Sequence, residues 1–217
     1  VTPIKAIFFD IGNVLVKLRT QAFLDGAAAA CDPSWDQASI KAAFWKPEGP
    51  HIDYEKGQID GPAFHAQMVE RFGLRLDYRA WLQLWNAYFE PNRPMEALLA
   101  RLQGQARFFT LSNTNAEHLA ALKLNFRLLD RFEKVIASHE EGSRKPEPAF
   151  FHAALAKAGV APGEALYLDD VEAFTEVGKS LGWQTFHYTF NDDALRQRLL
   201  ELGFELPSLD GRSTAAC

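Results

Sequence analysis

From residue 94 onward the chain alternates helical and extended patterns, and this alternation restricts its fold more than any other feature. Helical spacing over 94–103 precedes an extended run at 106–111. Then come helix 116–125, strand 134–138, helix 147–158, strand 165–168, helix 172–181, strand 184–188 and helix 192–202. Apolar residues three and four apart mark the helices, and short continuous apolar runs mark buried strands. Strands separated by helices predict a parallel sheet covered on both faces. A further strand opens the chain: Ile4–Lys5–Ala6–Ile7–Phe8–Phe9 is apolar at five of its six positions and has no helical stripe. It ends on Asp10, followed at once by Ile11–Gly12–Asn13–Val14. A carboxylate at the carboxyl end of such a strand stands where open α/β sheets hold ligands.

Between strand 1 and residue 94 the strand signals stop. Segments 21–31, 36–45, 61–72 and 78–89 carry Phe, Leu, Trp and Ala on one helical face. Asp32–Pro33–Ser34, Lys46–Pro47–Glu48–Gly49–Pro50, Gly73 and Pro91–Asn92–Arg93–Pro94 punctuate them. The expected layout is an α/β core of residues 1–16 and 94–206, a helical cap of residues 17–93 over the strand ends, and a flexible tail, 207–217.

The 217 residues suffice for one α/β domain with an insertion or for two small domains. With 47% hydrophobic and 24% charged residues, the composition is that of a soluble globular protein. A net charge of −5 without a long basic run argues against nucleic acid or an anionic membrane as partner. No apolar stretch approaches a membrane span and no signal peptide is read, so a cytoplasmic setting is expected. Cys31 and Cys217 make no disulfide framework, and a reducing compartment suits both. Monomer and homodimer both fit.

Four polar motifs fall where loops should meet the sheet: Asp10, Ser112–Asn113–Thr114–Asn115, Arg144–Lys145–Pro146 and Asp169–Asp170. Each alone has a plain structural role. Ser112 or Thr114 suits a helix N-cap, Lys145 a solvated charge, and Asp169 or Asp170 a cap of the next helix. Together they suit phosphoryl transfer. A carboxylate can attack phosphorus. A hydroxyl and a lysine can hold the transferred oxygens. Adjacent acids can help bind Mg²⁺, which prefers oxygen ligands.

With these motifs in this order, the chain resembles the haloacid dehalogenase superfamily of Asp-nucleophile phosphohydrolases, from Ile4 to about Gly203. The resemblance implies a doubly wound, Rossmann-like α/β fold with a five-stranded parallel sheet, order 5-4-1-2-3, and an inserted α-helical cap. It implies that Asp10 is the nucleophile, that Ser112, with Asn113 beside it, binds the phosphoryl group, and that Lys145 bridges nucleophile and phosphate. Mg²⁺ would be held by Asp10, Asp170 and the Gly12 carbonyl, with Asp169 behind them through water. Asp10–Ile–Gly–Asn–Val, Leu111–Ser–Asn–Thr–Asn and Arg144–Lys–Pro–Glu are closest to a bacterial sugar-phosphatase subgroup that includes α-D-glucose-1-phosphate phosphatases. The expected activity is Mg²⁺-dependent hydrolysis of a small phosphorylated metabolite, a sugar phosphate among the candidates. A weakly active or inactive phosphate-binding protein is one alternative, and a metal-independent 2-haloacid dehalogenase another.

Two positions depart from the family pattern. Gly12 replaces the second Asp that usually protonates the leaving alcohol, a class of contribution worth about 10²–10⁴-fold in rate. The sugar-phosphatase subgroup also carries Gly there. Phe174 stands where relatives often have Asn, which bears on the loop ordering Asp169 and Asp170. In the expected cap, Trp45, His51, Tyr54 and Glu55 lie in or beside the interrupted loop 45–58. They suit either reading of the leaving group or, for Trp45 and Tyr54, cap packing, with His51 at the surface. Trp81, Trp85 and Phe89 read as cap packing.

Overall fold

The computed structural model describes residues 2–46, 48–87 and 89–206. The expected tail, 207–217, and Cys217 lie outside them. The chain opens with β1 (Ala6–Phe9) and β2 (Val16–Leu18). Five helices follow: α1 (Thr20–Ala30), α2 (Gln37–Phe44), α3 (His51–Glu55), α4 (Gly61–Phe72) and α5 (Tyr78–Asn86). After β3 (Phe89–Pro91) come α6 (Arg93–Leu102), β4 (Arg107–Ser112), α7 (Ala116–Asn125), β5 (Lys134–Ala137) and α8 (Ser138–Glu141). The chain continues through α9 (Pro148–Ala158), β6 (Ala165–Asp169), α10 (Glu172–Ser180), β7 (Gln184–His187) and α11 (Asp192–Glu201).

Short polar side chains start several helices. Asp36, Asp60, Asp77, Asn115 and Asn191 each accept a hydrogen bond from a first-turn backbone N–H, satisfying a donor that has no partner within the helix. Gly73 ends α4 in the left-handed conformation, φ 61°, which costs a side-chain-free residue nothing.

The main sheet is parallel throughout, in the order β5-β4-β1-β6-β7. This numbering departs from the expected 5-4-1-2-3 because β2 and β3, which the sequence reading missed, pair with each other in a separate antiparallel ribbon. Among the five sheet strands alone the row is 3-2-1-4-5. β3 also corrects the expected helix 78–89, which stops at Asn86. Likewise the expected loop 45–58 contains α3.

β1 is buried on both sides, which explains its unbroken apolar run. Ile7 and Phe9 join a cluster with Leu99, Leu119, Leu168 and Leu199 on one face. Ala6 and Phe8 join Phe109, Phe150, Phe151 and Trp183 on the other. A third cluster belongs to the helical segment: Phe23, Phe44, Tyr54, Phe64, Met68, Trp81 and Trp85 pack with one another. Phe89 instead packs against the first sheet cluster and edge-on to His118, so only two of the three expected packing aromatics share that core. Among the described residues no helix is long and apolar enough to cross a membrane.

The helical segment is tied to the α/β part through polar groups. Glu117, in the first turn of α7, accepts hydrogen bonds from the hydroxyls of Tyr54 and Tyr78. Arg144 meets Glu55 at 2.8 Å, and Lys56 meets Glu147 at 2.6 Å. His118 donates to the carbonyl of Trp85 at 2.9 Å. Burial lowers the His118 pKa to about 3, so the ring stays neutral at ordinary pH.

Gly61 makes the Glu117 contact possible. A Cβ at this position would lie 2.1 Å from both the Glu117 carboxylate and the Tyr78 hydroxyl. Gly61→Ala is therefore expected to destabilise the protein by about 1–3 kcal/mol, the range of an overpacked site. Denaturant unfolding checks this, and Glu117→Ala in the same background should recover part of the loss. Equal stability of the wild type and Gly61→Ala would show that the contact yields freely.

Candidate active site

The parallel register brings the carboxyl ends of the central strands level: Phe9 pairs with Thr110 on one side and Leu168 on the other. The residues just beyond these pairs therefore emerge together at one edge of the sheet. From β1 comes Asp10, from β4 Ser112 and from β6 Asp169 and Asp170. The Asp10 backbone N–H extends the sheet by bonding Leu168 at 2.9 Å. The loop before α9 supplies Lys145.

Lys145 is the electrostatic centre of this edge. Its side chain is 1% exposed, and Nζ lies 2.9 Å from Asp10 Oδ1 and 2.6 Å from Asp169 Oδ2. The ring faces of Phe174 and Tyr167 lie 5.3 and 5.8 Å from the ammonium, within cation–π range. Burial alone would lower the lysine pKa, but the charges of Asp10 and Asp169 outweigh it and the net direction is upward. Phe174, one of the two departures noted in the sequence, thus faces the Lys145 ammonium.

Asp169 has three donors. It takes the Lys145 ammonium, the Tyr167 hydroxyl and, at 2.8 Å, the Val171 backbone N–H. Asp170 is held differently. Asn13 Nδ2 donates to its Oδ2 at 2.9 Å, and its backbone carbonyl accepts from the His187 ring at 3.0 Å. One oxygen each from Asp10, Asp169 and Asp170 can be chosen so that all lie within 4.8 Å of one another. Burial raises the Asp10 pKa, with Lys145 opposing and Asp169 and Asp170 reinforcing the shift. Burial likewise raises that of Asp170. One ammonium among three carboxylates leaves a surplus of negative charge that a further cation would relieve. Among the described residues the group that could hold a metal offers hard carboxylate oxygens, which fits Mg²⁺.

The structure gives the other expected residues varied places. Ser112 is buried at the end of β4, beside the same edge. Asn113 is occupied as a clamp: it donates to the Lys145 carbonyl at 3.0 Å and accepts from the Lys145 N–H at 2.8 Å. Its amide therefore holds the lysine loop, a task the sequence reading did not assign. Gly12 follows Asp10 and bridges to Val16. His51, expected at the surface if not at the site, is buried and stacked on Phe44; Tyr54 is buried and stacked on Phe64. Trp45 is 42% exposed, edge-on to Phe23. Among the described residues, no hydrogen bond or ion pair joins these three to the carboxylate cluster. Glu55 comes nearer, through Arg144, the residue before Lys145.

Sequence reasoning missed Tyr167 and Asn13 as parts of this edge. A signal existed for Tyr167, which is two residues before Asp169 on one strand and so points to the same face. Asn13 carried none beyond its place after the Asp10 motif.

Residues 4–182 match the model of the haloacid dehalogenase-like hydrolases, and the chain belongs to that family. It is similar to the D-ribitol-5-phosphate phosphatase of Bacteroides thetaiotaomicron, 28% identical over 195 residues, 84% of this chain and 91% of that protein. It is also similar to a sesquiterpene phosphatase of Aspergillus oryzae, 25% identical over 87% of this chain and 91% of that one. Among solved structures, a HAD-family enzyme of Bacteroides thetaiotaomicron in complex with magnesium and inorganic phosphate superposes with a TM-score of 0.74. It is 28% identical, covering 84% of this chain and 93% of that one.

Removing the central charge tests the network. Lys145→Met should leave two buried carboxylates uncompensated, a loss of about 3–5 kcal/mol when one partner of a buried pair is deleted. Chemical unfolding of both proteins in metal-free buffer measures it. A change below about 1 kcal/mol would mean that protonation of Asp10 replaces the lysine at little cost.

Proposed function

We propose that the chain is a Mg²⁺-dependent phosphatase of a small phosphorylated metabolite, working through an aspartyl phosphate on Asp10. One observation supports this above the others. A nucleophile-bearing strand end, a buried lysine 2.9 Å from it and two further carboxylates converge at one sheet edge. The similarity to phosphatases acting on a polyol phosphate and on a terpenoid phosphate favours a phosphate ester over a halogenated acid. A haloacid site also gains nothing from the Asp169–Asp170 pair.

In this reading Asp10 attacks phosphorus, the bond to the leaving oxygen breaks, and water then releases phosphate from the carboxylate. Lys145 aims Asp10 and favours its ionised form against the effect of burial, and its charge offsets that of the phosphoryl oxygens. Asp169 fixes the lysine. Ser112 offers a hydroxyl to the phosphoryl group, and Asn113 holds the lysine loop beside it. Asp10, Asp170 and the Gly12 carbonyl would hold Mg²⁺, which when bound neutralises charge between the anionic nucleophile and the anionic substrate. Residues 17–93 act as a cap. The Glu55–Arg144 and Lys56–Glu147 pairs would hold it against the catalytic loop, where it excludes water.

Asp10→Asn, nearly isosteric but a poor nucleophile, should abolish phosphatase turnover on a panel of sugar and polyol phosphates while the protein stays folded. Asp170→Ala should sharply raise the Mg²⁺ requirement. Full turnover in Asp10→Asn, or in wild type with excess chelator, would remove this mechanism.

Gly12 leaves the leaving group without an adjacent side-chain acid. Turnover should therefore depend steeply on leaving-group pKa, and the second half-reaction should be slow. A Cβ at Gly12 would have Leu18 Cδ1 as its nearest neighbour, at 3.1 Å, so the leucine side chain must give by a few tenths of an ångström. Gly12→Asp is expected to flatten the leaving-group dependence and to speed dephosphorylation, up to about 10²-fold for a restored acid–base group. Rapid-quench kinetics on a series of phosphate esters gives both slopes. Identical slopes would assign the acid to another residue.

A further inference from the structure

Asn13 is one of two described non-glycine residues with a left-handed backbone, φ 52°. Asparagine tolerates this region better than most residues, yet glycine would occupy it more freely. The side chain offers a reason for asparagine. Its Oδ1 accepts the Leu18 backbone N–H at 3.1 Å, and its Nδ2 donates to Asp170 Oδ2 at 2.9 Å. The first bond fixes the orientation of the amide. A backbone N–H needs an acceptor, so the oxygen must face Leu18 and the nitrogen must face the carboxylate. Leu18 belongs to β2, so the amide is anchored on a paired strand rather than on a free loop.

The choice of donor also matters. A lysine or arginine at this position would bring a positive charge to Asp170 and weaken its attraction for a metal ion. A neutral amide fixes the carboxylate without compensating its charge. Asp169, the adjacent member of the same cluster, shows the opposite arrangement: it is paired with the Lys145 ammonium and also accepts from the Tyr167 hydroxyl and the Val171 N–H. The two neighbouring acids are thus differentiated by their donors, one neutralised and the other only oriented.

We infer that Asn13 is the positioning residue for Asp170, holding one carboxylate oxygen from the β2 strand so that the carboxylate is presented to the metal ion. This rests on the assignment of Asp170 as a Mg²⁺ ligand. Hydrogen-bond partners behind ligating groups typically contribute 10–100-fold to metal affinity.

The test is Mg²⁺ binding to the purified full chain by isothermal titration calorimetry, alongside the thermal midpoint of the metal-free protein. Asn13→Gly retains the backbone conformation and deletes both bonds. Asn13→Ser, too short to bridge both partners, is the second variant. Both should bind Mg²⁺ at least about tenfold more weakly, with kcat recovering at high Mg²⁺. A merely structural role would lower the metal-free midpoint and leave the dissociation constant unchanged, and that result would overturn the inference. Absence of Mg²⁺ binding by the wild type would instead overturn the metal assignment on which it stands.

Discussion

The Lys145 ammonium lies between the carboxylates of Asp10 and Asp169, out of contact with water, and the end of the sheet is organised around keeping that charge compensated. A buried ammonium is tolerable only when paired and hydrogen-bonded. Pairing it requires that β1 and β6 be neighbours, so that Asp10 and Asp169 leave the sheet side by side. It also requires that the loop before α9 be pinned, which the two Asn113–Lys145 backbone bonds accomplish from the end of β4. Three strands and one loop are thereby committed to a single cation. The same cation then stands beside Asp10, the proposed nucleophile.

The helical segment has its own aromatic core and meets the α/β part through polar groups and through the stack of Trp85 on His118. This division is physically sensible. Apolar burial resists separation in proportion to area. Ion pairs and tyrosine–carboxylate bonds can instead be exchanged for water at little net cost. The polar contacts adjoin two of the polar motifs. Arg144 adjoins Lys145, and Glu117 follows Asn115, the residue that caps α7 beyond Ser112. Contact with the helical segment is therefore felt at two of the four motifs.

The parallel sheet and the four polar motifs were legible because both depend on local signals: apolar runs of strand length, and acids or hydroxyls placed just after them. The β2–β3 ribbon was not. Val16–Lys17–Leu18 and Phe89–Glu90–Pro91 are each too short to show a period, and their pairing spans the whole helical segment. Phe89 continued the helical spacing of Trp81 and Trp85, yet its partner was Leu18. His51 and Tyr54 illustrate a second limit. Polar-tipped rings in an interrupted loop suggest a binding surface, but their rings are stacked in the segment's own core. Tertiary partners decided both cases, and no pattern within the segment encodes them.

The β2–β3 ribbon contains both points at which the backbone passes between the sheet and the helical segment. Any relative movement of the two parts must deform this ribbon. Sliding one strand along the other would break the registered pairs Val16–Pro91, Lys17–Glu90 and Leu18–Phe89, whereas flexing both strands together keeps them. The registered pairing thus resists sliding of one crossing strand along the other more than bending of the two together.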